Sequence, residues 1–173
     1  MIVRSLKRKA LLAVCAAGAV AAIAYGVLRS VAAPDVLAPA AYTLLNGTPA
    51  HTAQLTGRVV LVNFWATSCA VCLQEMPDLV ATHARFKARG FETLAIAMAY
   101  DPPINVVRYT EAHALPFQVA IDHDGSLAER FGQVVATPTS LLINRRGEIV
   151  ERHVDRLDFA ALDTSIEKLL SAR

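Results

Sequence analysis

Cysteine is scarce in this chain, three residues among 173, and the five histidines include no spaced pair. A structural zinc site takes four ligands, and beyond one cysteine pair nothing here supplies the second two. Charge is thin as well: 18% of residues are charged against 54% hydrophobic, and mean hydropathy is +0.39, high for a soluble domain. The excess apolar residues sit mostly before residue 40, which points to a membrane segment rather than a greasy core. A positive excess is also missing where a fold would lie. Of 17 Lys and Arg, four stand at Arg4, Lys7, Arg8 and Lys9, leaving 13 against 15 acidic residues, a balance of −2. Phosphate binding needs a concentrated positive face, so this balance argues against nucleic acid as a partner. Repeats and low-complexity segments are absent too, leaving room for one domain and a short appendage.

The appendage is N-terminal. Residues 1–9 form a basic segment, and Ala10 to Leu28 follow as an uncharged run. At about 1.5 Å per residue this run reaches roughly 28 Å, close to the hydrocarbon thickness of a bilayer. The basic cluster predicts a cytoplasmic N-terminus and puts everything after Arg29 on the far, periplasmic side of the inner membrane. A cleaved secretory signal is the competing reading, with Val31-Ala32-Ala33 as the small-residue site. Pro34 would then follow the scissile bond, a poor arrangement for cleavage, and the run is longer than a usual signal core. Retention as a single-pass anchor is favoured, and either reading exports the domain. Cys15 lacks the small preceding residue of a lipidation site and reads as an apolar helix residue.

Residues 29–40, with two prolines and several alanines, read as a linker, and the globular pattern runs from 41 to 173. Tyr42 to Leu45, the Asn46-Gly47 turn and the stretch to Leu55 predict a small hairpin. Arg58 to Trp65 is apolar without alternation, which suits a central strand covered on both faces. A helix is predicted from about Ala70 to Arg89, with Gly90 as its C-cap residue. Phe91 to Tyr100 reads as a second buried strand, Asp101-Pro102-Pro103 as the start of a helix to about His113, and Phe117 to Ile121 as a strand. Ser126 to Phe131 gives a short helix. Thr139 to Asn144 and Glu148 to Val154 form a hairpin around Arg145-Arg146-Gly147, and Asp158 caps a last helix to about Leu170. The class is α/β with a mixed sheet.

Two cysteines, Cys69-Ala70-Val71-Cys72, stand where the buried strand gives way to a helix. Cys69 falls at the helix N-terminus, where free backbone N–H groups and the dipole favour a thiolate able to attack a disulfide. Cys72 follows on the same face, within reach to resolve the mixed disulfide. A static bond spanning two residues would close almost no loop and stabilise little, so redox chemistry is the better reading.

The stretch from Val60 through Asn63, Trp65, Cys69, Cys72 and Glu75 to Pro77 resembles the signature of the thioredoxin superfamily, specifically its exported TlpA/ResA/CcmG-like disulfide reductases. Asp122 to Gly132, Ala136-Thr137-Pro138-Thr139 and the Asn144-to-Glu148 turn extend the resemblance. It implies a thioredoxin-like three-layer fold with an N-terminal hairpin, a nucleophilic Cys69, a resolving Cys72 and no cofactor. Pro138 would be the cis-proline beside the cysteines, with Thr137 offering backbone groups to a bound substrate strand. Glu75, one turn after Cys72, would be buried and shuttle a proton. Asn63 stands where classical thioredoxins place an aspartate, which shifts proton handling to Glu75. Trp65 is expected over the active-site edge, meeting substrate, with plain core packing as the alternative. Pro77 is expected to kink the helix. The resemblance further implies a membrane thiol-electron donor of DsbD/CcdA type. Clients would be apocytochrome c or proteins assembling the copper site of cytochrome oxidase. Ser68 and Ala70-Val71 depart from the family pattern, so neither potential nor client carries over, and the direction of exchange stays open.

The rival reading is a copper-delivering chaperone on the same fold, with His123 or His153 recruited beside the thiols. That group prefers three residues between its cysteines, where this chain has two. His51, His83, His113, His123 and His153 read as surface or loop residues. A peroxidase would want a threonine three residues before a lone cysteine and is weaker still.

Overall fold

The computed structural model describes residues 36–172. The basic segment, the expected span at 10–28 and Cys15 lie outside them. Among the described residues no helix is long and apolar enough to cross a membrane.

Strand β3 (Val59–Trp65) is buried at every position, as its unbroken apolar run requires. It is the middle of a five-stranded sheet ordered β5-β4-β3-β6-β7, built with β4 (Phe91–Ala97), β5 (Gln118–Ile121), β6 (Thr139–Ile143) and β7 (Ile149–Val154). β4 runs parallel to β3 and to β5, whereas β6 is antiparallel to β3 and β7 to β6, so the sheet is mixed. The parallel pairs are joined through helices: α1 (Ala70–Phe86) links β3 to β4, and α2 (Pro103–Ala112) links β4 to β5. A short α3 (Ser126–Arg130) and a closing α4 (Phe159–Ser171) complete the set. Asp158 caps α4 by accepting the amides of Ala160 at 3.0 Å and Ala161 at 3.1 Å.

Alternation along β3 sorts the core into two layers. Val59, Leu61 and Trp65 pack with Met76 and Leu79 of α1, Val106 of α2 and Leu162 and Ile166 of α4. Val60, Val62 and Phe64 pack with Leu127 of α3, Phe131 and Tyr42 of the N-terminal hairpin. Phe64 meets Phe131 edge-on at 5.5 Å between ring centroids. Truncating a fully buried ring of this kind costs about 3–5 kcal/mol. Phe64→Ala should therefore lower stability by that amount in urea unfolding followed by the fluorescence of Trp65, the only tryptophan. A loss below about 1 kcal/mol would mean the second layer is not packed as described.

The hairpin pairs β1 (Ala41–Thr43) with β2 (Pro49–His51) around Gly47, whose φ of 82° suits the turn. The residues expected to continue β2 instead form a 3-10 turn, Thr52–Leu55, held by a capping box between His51 and Gln54. Residues 36–40, assigned by composition to the linker, already belong to the domain. The Ala40 amide donates to the Thr52 hydroxyl at 2.9 Å with Ala40 buried, and Leu37 N–H bonds the carbonyl of Gly147 at 2.9 Å. Two boundaries also shift. α1 ends at Phe86 and tightens into a 3-10 turn before Gly90 (φ 97°), and β4 stops at Ala97 because residues 98–101 fold back as a turn. Pro77 lies inside α1 without ending it.

The two margins of the sheet differ. Along β5, Leu44 bridges Ala120 and the Leu45 amide donates to Val119 O at 2.9 Å. β7 carries Glu151, Arg152 and His153, and Val36 bridges Glu148 just before it.

Candidate active site

The end of β3 delivers the chain into a short loop, Ala66 to Ser68, and α1 starts immediately after Cys69. Cys69 is the N-cap residue, in extended conformation (φ −91°, ψ 101°), and its sulfur accepts the Cys72 amide at 3.2 Å. A sulfur in that position takes up one of the helix's free N–H groups, the arrangement that stabilises a thiolate once the bond is reduced. The two cysteines are joined as a disulfide with 5.3 Å between their Cα atoms. They are not equivalent: Cys69 is half-buried and Cys72 is 2% exposed. An incoming nucleophile meets Cys69 first.

β6 places the second wall. Its antiparallel register sets Thr139 opposite Phe64, so Pro138, one residue earlier, lies at the same end of the sheet as the loop bearing Cys69. The Thr137–Pro138 peptide bond is cis, as the family resemblance implies. Pro138 O accepts the amide of Asp155 at 2.9 Å, which fastens this loop to the turn between β7 and α4.

The same turn reaches Glu75. This carboxyl is 2% exposed on the inner face of α1, and its Oε1 accepts the Leu157 amide at 2.5 Å while Oε2 has no partner. Burial pushes its pKa above the ordinary 4.5. The Leu157 N–H and the Arg156 guanidinium pull it back, and Asp155 and Asp78 add to the rise. A buried acid with one free oxygen, one helical turn beyond Cys72, is suited to accept and return a proton. Asn63, by contrast, is closed off: it is 1% exposed and donates to the Ser140 hydroxyl at 2.9 Å, a neutral pair with no acid to titrate.

Trp65 does not stand where the sequence reading put it. It is 0% exposed, its ring tilted against Tyr109 at 5.3 Å, within the layer that includes Cys72 and Met76. It underlies the site and cannot touch a substrate strand. His83 departs as well: it is a core residue, 4% exposed, with Nδ1 3.2 Å from the Thr93 hydroxyl and a pKa lowered by burial. Among the described residues no three His, Cys, Asp or Glu side chains gather as metal ligands.

Sequence reasoning missed the turn after β4. Asp101, read as a helix opener, is a buried acceptor for Thr67, and the Tyr100 hydroxyl lies 3.1 Å from the Thr137 hydroxyl. The one available signal was a carboxylate directly following a buried apolar strand.

A mixed sheet, a cysteine pair at the start of the helix after its central strand, and a cis-proline at the same sheet end define a thioredoxin-fold protein with a CxxC site. Comparison narrows this further. The chain belongs to the Redoxin family, whose model matches residues 30–166. A thiol-disulfide oxidoreductase ResA of Halalkalibacterium halodurans is 34% identical over 109 residues, 63% of this chain and 61% of that relative. A second ResA, from Bacillus thuringiensis, is 32% identical over 127 residues, 73% of this chain and 72% of the relative. The match thus spans under two thirds of the first relative's length. A thiol:disulfide interchange protein of the thioredoxin family from Chlorobium tepidum has a similar structure. Its TM-score is 0.74 at 27% identity, covering 81% of this chain and 99% of that one.

Proposed function

We propose that this chain is a thiol–disulfide oxidoreductase that reduces disulfides of exported client proteins while residues 10–28 hold it to the membrane. The observation that carries the reading is the asymmetry of the pair: an accessible Cys69 capping a helix, a buried Cys72 behind it. Both the ResA relatives and the Chlorobium tepidum interchange protein are named for the same chemistry, which supports the reading.

In the reduced state the Cys69 thiolate attacks one sulfur of a client disulfide. A Cys69–client bond forms and the second client sulfur leaves as a thiolate. Cys72 then loses its proton to Glu75 and attacks the Cys69 sulfur. The Cys69–Cys72 disulfide closes, and the first client sulfur leaves and is protonated. Two electrons pass to the client and the protein ends oxidised. Regeneration needs a dithiol donor, and a membrane thiol transporter of DsbD/CcdA type is the partner that an exported site in an oxidising compartment calls for. Apocytochrome c and proteins of the oxidase copper site are the client classes that the family resemblance suggests.

The midpoint potential of the Cys69/Cys72 couple decides the direction. A value well below the about −120 mV of a strong oxidant is expected, and one near that figure would overturn the reductase assignment. Anchoring is checked separately: full-length protein should stay with membranes after alkaline carbonate extraction, and its release would remove the tether from the reading.

A further inference from the structure

The exchange chemistry above uses nothing from the turn between β4 and α2, yet this turn grips the site. Asp101 is 2% exposed, and its carboxylate takes both donors of one residue: Thr67 N–H at 2.6 Å on Oδ2 and the Thr67 hydroxyl at 2.6 Å on Oδ1. A buried carboxylate is costly unless its oxygens are hydrogen-bonded, and bonds to a charged acceptor are the strong ones. The turn is itself fastened, with Asp101 N–H donating to Met98 O at 2.9 Å and Met98 N–H to Trp65 O at 3.0 Å. Thr67 therefore has little freedom, and it stands two residues before Cys69 in a loop of three. Next to Asp101, Tyr100 reaches the hydroxyl of Thr137, the residue before the cis-proline.

We propose that Asp101 is a positioning residue of the dithiol site: by clipping Thr67 it fixes where Cys69 stands at the start of α1. The proposal rests on the oxidoreductase reading and deepens it. Shape and charge have opposite signs here, which makes the role testable. A negative charge near a sulfur disfavours the thiolate, so by Coulomb's law alone removing it speeds alkylation. Loosening the loop slows alkylation, because Cys69 loses its place against the Cys72 amide.

The experiment uses full-length, fully reduced protein and reads iodoacetamide labelling of Cys69 by peptide mass spectrometry across pH, together with insulin reduction. Thr67→Val removes the hydroxyl without changing charge, and about tenfold slower labelling at neutral pH is expected from a loop displaced by a fraction of an ångström. Thr67→Ser keeps the hydroxyl and restores the wild-type pH profile. Asp101→Leu, similar in size but unable to accept either bond, is expected to slow labelling as well. Thermal unfolding of each variant shows that it is folded. Wild-type labelling in Thr67→Val, or faster labelling in Asp101→Leu, overturns the proposal. If Thr67→Ser is as slow as Thr67→Val, the hydroxyl clip is likewise refuted. Should wild type itself label no faster than free cysteine and leave insulin intact, it is the oxidoreductase reading that falls.

Discussion

Cys69→Ser is expected to cut insulin reduction by about three orders of magnitude or more, the usual consequence of removing an attacking group. Cys72→Ser should behave differently. Its Cys69 can still attack, but nothing behind it can displace the client, so a mixed disulfide accumulates and appears on non-reducing gels as a band lost on reduction. The asymmetry follows from exposure: Cys69 is half-buried and Cys72 is 2% exposed, so a client sulfur reaches the first and not the second. Trapping by Cys69→Ser instead of Cys72→Ser would reverse the assigned roles.

Glu75→Gln should produce a second large effect, in two directions at once. Burial raises the Glu75 pKa above 4.5, so the folded protein holds this proton more tightly than the unfolded chain. For a carboxyl shifted upward, the stabilising contribution is complete below 4.5 and is lost as pH rises through the folded value. At neutral pH that contribution is diminished. Glutamine is neutral and its carbonyl can still accept the Leu157 amide, so relative to wild type the variant should gain in melting temperature as pH rises from 4.5 to 7. The gain should vanish as pH falls toward 4.5. Activity moves the other way. Without a carboxylate to take the Cys72 proton, turnover at pH 7 should fall by about tenfold to a hundredfold and recover as pH rises and the thiol ionises unaided. A variant that is both less stable and fully active at pH 7 would show that Glu75 is neither a buried acid nor a proton carrier.

The parts of this arrangement legible in sequence are those in which neighbours along the chain set the chemistry. An apolar run without alternation could only be a strand covered on both faces, and β3 is buried throughout. Cys69 and Cys72 at a strand-to-helix junction needed only helix geometry to be read, and the resemblance around Pro138 implied a cis bond that is present. Trp65 was misplaced for the same reason that β3 was found. A strand buried on both sides carries no period to say which side a residue faces, and what covers Trp65 is Tyr109, brought in by α2. Asp101 was invisible because its partner is Thr67, 34 residues away on another loop. The hydrogen bond from Leu157 to Glu75 spans 82 residues and was equally out of reach, although burial of the carboxyl was anticipated.

The margins of the sheet bear on how a client of the proposed kind is taken up. A sheet with a bare outer strand can accept an extended polypeptide along its whole side, and two copies can zip together in the same way. Here the first margin already has the N-terminal hairpin beside it, whereas β7 pairs only with β6 and carries Glu151, Arg152 and His153 along its length. Cys69 and the cis-proline loop stand instead at the tips of the strands, so a disulfide must come to that end to react. For the proposed function, such an end-on approach suits client cystines that sit in loose or unfolded segments.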